Sequence, residues 1–331
     1  MRLEKRSRQG RIVVGALLVL SAFQGVPAKQ AGTSPVKVFI LAGQSNMEGH
    51  GIIKMDPKRN GGKGSLEYVV RDPNTAEQFK YLVDEKGQWV VRDDVWIWYL
   101  GRKGPLTVGY GARQGRIGPE LGFGHILGEF LENQVLIIKV AWGGKSLAKD
   151  FRPPSSGGQL GPYYKEMVKH IREVAFHIKE HFPDYDGRGF EIAGFGWHQG
   201  WNDGCSVEQS EEYEKNLANF IRDIRGELGI KDLPFVIASS GFKGHNQKTE
   251  RRLKIMEAQA AVAKYKEFKG TVACVDTRDF YRPAEESPSR QGYHWNSNAE
   301  TYLLIGQGMG EAMKELLTIK ARKAEKLGMQ R

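Results

Sequence analysis

Cysteine is almost missing: the 331-residue chain holds only Cys205 and Cys274. Two thiols make no disulfide framework, so the fold must stand on an apolar core. Cys274 lies in the run TVACVD and reads as a buried strand residue; spacing leaves their pairing open. Membrane-length apolar runs are missing too. The one candidate, IVVGALLVLSAF from Ile12 to Phe23, falls short of the ~20 residues a spanning helix needs. No internal repeat or low-complexity tract occurs. The H-E-x-x-H pattern of zinc hydrolases is absent. So is the G-x-S-x-G elbow, which disfavours the α/β-hydrolases.

What is there is ordinary globular composition, 40% hydrophobic and 27% charged. That excludes collagen-like, coiled-coil and wholly disordered chains. The length suits one large α/β domain or two small ones. The net charge of +10 invites a nucleic-acid reading, but its distribution argues against one. The first eleven residues, MRLEKRSRQGR, carry five basic residues and one acid, then comes the apolar run, then Val26-Pro27-Ala28 at a cleavage spacing. Basic, apolar and small-residue regions in that order read as a secretory signal peptide over residues 1–28, with a secreted or periplasmic mature chain and no membrane span after cleavage. From Glu311 onward six basic residues face three acids on an expected solvated helix or tail without interleaved aromatics, a weak nucleic-acid site. The remaining body is near neutral.

Past the leader, short continuous apolar runs alternate with helical patterns. The runs are VKVFILA (36–42), VLIIKVA (135–141), EIAGFGW (191–197), PFVIASS (234–240) and TVACVD (271–276). Continuous rather than alternating apolarity marks strands covered on both faces. Helices are expected at about 118–132, 161–182, 207–229, 250–267 and 298–318. The alternation predicts an α/β fold, a parallel sheet of about five strands with helices on both faces. Residues 54–117 break the rhythm. They are glycine-rich, hold the cluster VWIWY (95–99), and read as an insertion with short strands of its own, lying over one end of the sheet.

Ligands of open α/β sheets bind beyond the carboxyl ends of the strands. There the chain reads GQSNMEGHG, WGGKSL, HQGWNDG, SGFKGHN and DTRDF, with YHWN before the last helix. Ser45, at a strand-to-helix turn made possible by Gly43, is a candidate nucleophile whose own N–H can face an oxyanion. The plainer reading of Ser45 and Asn46 is a helix cap. A serine nucleophile needs a base, most often histidine. His170, His177 and His181 share one expected helix and His125 another. His50 and His245 sit in loops near strand ends, within reach of a substrate there. His294 is the candidate base and His198 the weaker alternative. Gly144 can expose a backbone N–H, and Gln199 and Asn202 carry side-chain NH2 groups; the plain reading of Gly143-Gly144 is a turn.

These blocks, in this order over residues 36–315, resemble the SGNH (GDSL-type) hydrolase superfamily, and more narrowly its sialate O-acetylesterase / carbohydrate esterase family six branch. Gly43–Met47 match the branch's G-Q-S-N-M, Gly143-Gly144 its glycine block, Trp197–Gly200 part of its W-x-Q-G-E, and His294 its last block. The resemblance implies the three-layer, flavodoxin-like SGNH fold in a single domain spanning 29–331. It implies a serine esterase with Ser45 as nucleophile and His294 as base, needing no metal or organic cofactor. The oxyanion donors would be Ser45, Gly144 and Gln199; the literal G-x-N-D match of Gly200–Asp203 makes Asn202 the rival of Gln199. The implied substrate is acetylated carbohydrate, contacted by Gln44, Asn46, Trp142, Trp201 and Asn202. The rings of Trp142, Trp197, Trp201 and Trp295 suit sugar stacking, although tryptophan is largely buried on average. Two departures stand out. The branch's glutamate is Trp201 here, and its aspartate three residues before the histidine is Gln291. Asp203, Asp279, Glu285, Glu286 or a backbone carbonyl would have to orient His294. The missing acid motivates a second reading, a carbohydrate-binding protein that has lost catalysis on the same fold.

Overall fold

The computed structural model describes residues 34–328. The expected leader, residues 1–28, lies outside them. Seven strands make one sheet: β1 (Val36–Gly43), β2 (Arg92–Tyr99), β3 (Arg102–Leu106), β4 (Val135–Ala141), β5 (Phe190–His198), β6 (Phe235–Ala238) and β7 (Val272–Val275), in the order β3-β2-β4-β1-β5-β6-β7. All neighbours are parallel except the β2–β3 hairpin. The five continuous apolar runs are the five strands from β4 to β7 through β1.

The sheet is wider than five because the 54–117 insertion does not merely lie over one end. Its VWIWY segment enters the sheet as β2, parallel to β4, and β3 folds back as the edge. A further ribbon pairs Gly51–Ile52 with Arg116–Ile117.

Side chains alternate along β1. Val36, Val38, Ile40 and Ala42 join the core beneath helices α2 (Pro162–Phe176), α3 (Val207–Leu228) and α4 (Glu250–Val262). Phe39 and Leu41 join the opposite core, beneath α1 (Pro119–Phe130) and α5 (Ala299–Gly328). Burial on both faces is why the strand reads as continuously apolar. α5 carries the basic C-terminal stretch in helical form. Among the described residues no helix is long and apolar enough to cross a membrane. Cys205 is exposed and Cys274 half-buried in β7, and both are free thiols.

Candidate active site

Strand β1 ends on Gly43, at φ +153°, where a Cβ would stand 2.2 Å from the His198 carbonyl oxygen on β5. Only glycine lets the two strand ends close so tightly. After it comes Gln44 and a one-turn helix, Ser45–Glu48. Gln44 is 2% exposed, and its Oε1 accepts the backbone N–H groups of Gly200 and Asn202, each at 3.2 Å. It therefore fastens the strand-β5 block to the Ser45 turn from inside the protein, instead of facing solvent. The Ser45 N–H has no protein acceptor among the described residues. A Cβ on Gly143 would lie 3.9 Å from Ser45 Cβ and 3.1 Å from the Glu48 carboxylate, so the glycine block from β4 packs directly on the Ser45 turn. Gly144 has φ +69° with open space around it, and its N–H is likewise unpaired with protein.

The His294 loop meets the same turn. Asn46 Nδ2 donates to the Tyr293 carbonyl at 2.9 Å. The Tyr302 hydroxyl, on the first turn of α5, donates to Asn46 Oδ1 at 2.7 Å and approaches the His294 carbonyl at 3.3 Å. The residue after Ser45 is thus tied to the residues on either side of the His294 ring. Both ends of the Asn46 side chain are used inside the protein. Three successive residues, Trp295, Asn296 and Ser297, hold φ of +50°, +54° and +57°. Such backbone is costly for non-glycine residues and clusters at functional sites. It is held by Asn296, whose Nδ2 donates to the Arg282 carbonyl at 3.1 Å.

His294 is half-buried. Burial, followed by the nearby Arg116 guanidinium, pushes its pKa down to about 4, so its imidazole is neutral at pH 7 and able to accept a proton. Its ring stacks on His50, centroids 3.7 Å apart and planes within 8°. Among the described residues no carboxylate pairs with it. Asp203 is fully buried; it accepts the Leu147 and Ala148 N–H groups at 2.9 and 2.8 Å and the Gln199 amide. Asp279 pairs with His245 at 2.7 Å, and Glu285 and Glu286 are exposed. None of the four acids takes the orienting place.

His198 is 1% exposed, with Nδ1 at 3.1 Å from the Ala238 carbonyl; it is a core residue and unavailable as a base. Gln199 is equally enclosed. Its Nε2 donates to Asp203, to the Lys145 carbonyl at 3.0 Å and to Gln44, and its Oε1 accepts from Tyr213 at 3.0 Å. That amide is spent on the scaffold. Asn202 is half-exposed; its Nδ2 donates one hydrogen to the Gly144 carbonyl, beside the open N–H, and has a second hydrogen with no protein acceptor among the described residues. Of the tryptophans, Trp197 and Trp295 are wholly buried core. Trp142 is half-buried against Tyr163 and His170. Trp201 is half-buried at the rim, between Tyr293 and Phe242, with the Arg252 guanidinium 3.5 Å over its ring.

The model of the carbohydrate esterase, sialic acid-specific acetylesterase family matches residues 35–315. The chain belongs to that family. It is accordingly a carboxylic ester hydrolase, and its relatives agree. A probable carbohydrate esterase of Arabidopsis thaliana is 26% identical over 223 residues, 65% of this chain and 74% of the relative. The solved structure of an Arabidopsis thaliana protein superposes with TM-score 0.56 at 18% identity, covering 84% of this chain and 98% of that one. A carbohydrate acetylesterase from Xanthomonas citri gives TM-score 0.50 at 15% identity, covering 83% and 57% respectively.

Three residues of the site, Glu48, Arg116 and Tyr302, escape sequence reasoning as contributors, and His50, read there only as a candidate substrate contact, joins them. The four gather around the Ser45–His294 region from the Ser45 loop, the insertion ribbon and α5. The Glu48 carboxylate accepts from the Tyr99 hydroxyl at 3.2 Å and from the Gly143 N–H; burial raises its pKa. Its carbonyl, with that of Tyr110, takes a hydrogen bond from Lys139, whose fully buried ammonium pairs with Glu120 at 2.7 Å. Only the GHG context of His50 offered a local signal.

Proposed function

We propose that this esterase removes O-acetyl groups from carbohydrate through an acyl-enzyme on Ser45, on the SGNH version of its α/β fold. The observation that carries the reading is the Asn46–Tyr293 and Tyr302–His294 bridge, which joins the nucleophile turn to the histidine loop. Neutral His294 takes the Ser45 proton as Oγ attacks the acetyl carbonyl. The developing oxyanion meets the free N–H groups of Ser45 and Gly144. The Asn202 amide is the third donor in preference to Gln199, whose hydrogens are already committed. His294 then protonates the leaving sugar oxygen, and water releases acetate by the reverse path. Tyr293, exposed at the rim beside Trp201, offers a flat face for a sugar ring. The leader-like residues 1–28 support a secreted or periplasmic enzyme.

Free acetate measured from acetylated sugars tests the reading. Ser45→Ala and His294→Ala should each lower kcat at least ~1000-fold; a Ser45→Ala enzyme as fast as the wild type would sink it. The absence of a carboxylate partner for His294 favours, as a second reading, a sugar-binding protein without turnover. Binding of acetylated sugar with no acetate released would support that one instead.

A further inference from the structure

With no acid on His294, something else must hold the ring that accepts the proton. A histidine without such a partner has two free rotations and two usable tautomers, and base catalysis depends on the ring being aimed at the serine. His50 stacks on one face of the His294 ring, centroids 3.7 Å apart and planes nearly parallel. Its own backbone is clamped on both sides. Arg116 donates to its carbonyl at 3.1 Å, and its N–H meets the Tyr302 hydroxyl that also holds Asn46 and the His294 carbonyl. Its Nε2 is buried without a partner, so the ring is not there for a hydrogen bond at that atom. We propose that His50 is a positioning residue for the catalytic histidine: its flat face, carried on a backbone held by Arg116 and Tyr302, fixes the plane of His294 in place of the missing carboxylate. The proposal rests on the Ser45–His294 reading.

The electrostatics are consistent with a stack of this kind. The charged groups around the pair are Arg116 and Arg113 from the insertion and Lys139 from β4, with Glu48 from the Ser45 turn and Glu120 from α1 acting on the adjoining Tyr302; the neighbouring neutral groups are Tyr293 and Tyr302. Burial first, then His294 and these cations, lowers the His50 pKa to about 3, so it stays neutral while His294 cycles through its charged form. A neutral aromatic face attracts a cation lying on it. An imidazolium formed on His294 during attack therefore keeps its neighbour, whereas two charged rings would repel.

The experiment compares wild type, His50→Ala, His50→Phe and Ser45→Ala on one acetylated sugar, with thermal unfolding recorded for each. His50→Ala should lower kcat ~10- to 100-fold with KM within about twofold, the loss expected when a reacting group is misaimed. Removing the ring also admits water to His294. The acid limb of kcat/KM, set in the wild type by a base near 4, should then move up in pH toward the ordinary histidine range. His50→Phe keeps the flat face and should recover most of kcat. A His50→Ala enzyme with unchanged kcat and an unmoved acid limb overturns the proposal, as does a His50→Phe enzyme as slow as His50→Ala. If Ser45→Ala retains full activity, the serine mechanism itself has failed and takes this proposal with it; a dead Ser45→Ala beside an unaffected His50→Ala isolates the failure to His50.

Discussion

At the scale of single residues, the site separates polar groups left open from polar groups that hold the site together. Gln44, Asn46 and Gln199 carry the polar chemistry of substrate ligands, yet every one spends it inside the protein. An unmade hydrogen bond on a buried group costs roughly 1–3 kcal/mol, so such residues report on stability before they report on chemistry. This gives a discriminating pair of variants. Asn202→Ala should lower kcat on the order of 100-fold, as loss of one oxyanion donor does, while its melting temperature stays near that of the wild type. Gln199→Ala takes one donor from the buried Asp203 carboxylate and one acceptor from the Tyr213 hydroxyl, leaves a cavity in the scaffold, and should lower the melting temperature by several degrees. If Gln199→Ala melts normally and loses only kcat, the donor assignment reverses.

At the scale of elements, the insertion is the part that local reading misjudged. Residues 95–99 have strand character, but the turn after them is disguised. Tyr99 pairs with Arg102 across a two-residue turn, Leu100-Gly101, at φ +46° and +90°. Tight hairpin turns of this kind favour Asn-Gly, because asparagine tolerates the left-handed region and leucine does not. Leu100 is 37% exposed, so its side chain has little packing to lose. Leu100→Asn should therefore raise the unfolding free energy by about 0.5–1 kcal/mol, seen as a higher urea midpoint with an unchanged slope. A lower midpoint would mean that the Leu100 side chain packs in a way its exposure does not suggest.

At the scale of the whole molecule, buried titratable groups set the pH range of stability. Burial lowers His198 to about 4 and His125 to about 3; His50, at about 3, and His294, at about 4, follow the same direction. Each folded value lies below the ordinary 6.5, so on acidification the unfolded chain takes up protons first. Their contribution is complete above about pH 6.5 and is lost as pH falls toward 4. Asp203 runs the other way. Burial raises it to about 6 from an ordinary 3.8, so its contribution is present in acid and is lost as pH rises through 4 to 6. Four histidines oppose Asp203 and Glu48, whose pKa burial also raises, and the melting temperature should fall between pH 7 and pH 4. His198→Gln should flatten that fall. A melting temperature that rises over the same interval would show Asp203 prevailing.

Some of this was readable along the chain because it depends only on near neighbours. VKVFILA, VLIIKVA and the other three runs declare strands buried on both faces, since apolarity without alternation has no other cheap solution in water. GQSNM places Ser45 at a strand end, because Gly43 has the backbone freedom that turn needs. Tertiary structure decided everything that required two distant segments to meet. It filled the sheet edge with VWIWY, withdrew Gln199 into the scaffold, sent Trp197 and Trp295 to the core, and left His294 without an acid. It also laid His50 against that histidine, 244 positions away in the numbering. Periodicity records which face of an element is dry; which side chains share a site depends on how the strand ends converge, and no local pattern encodes that convergence.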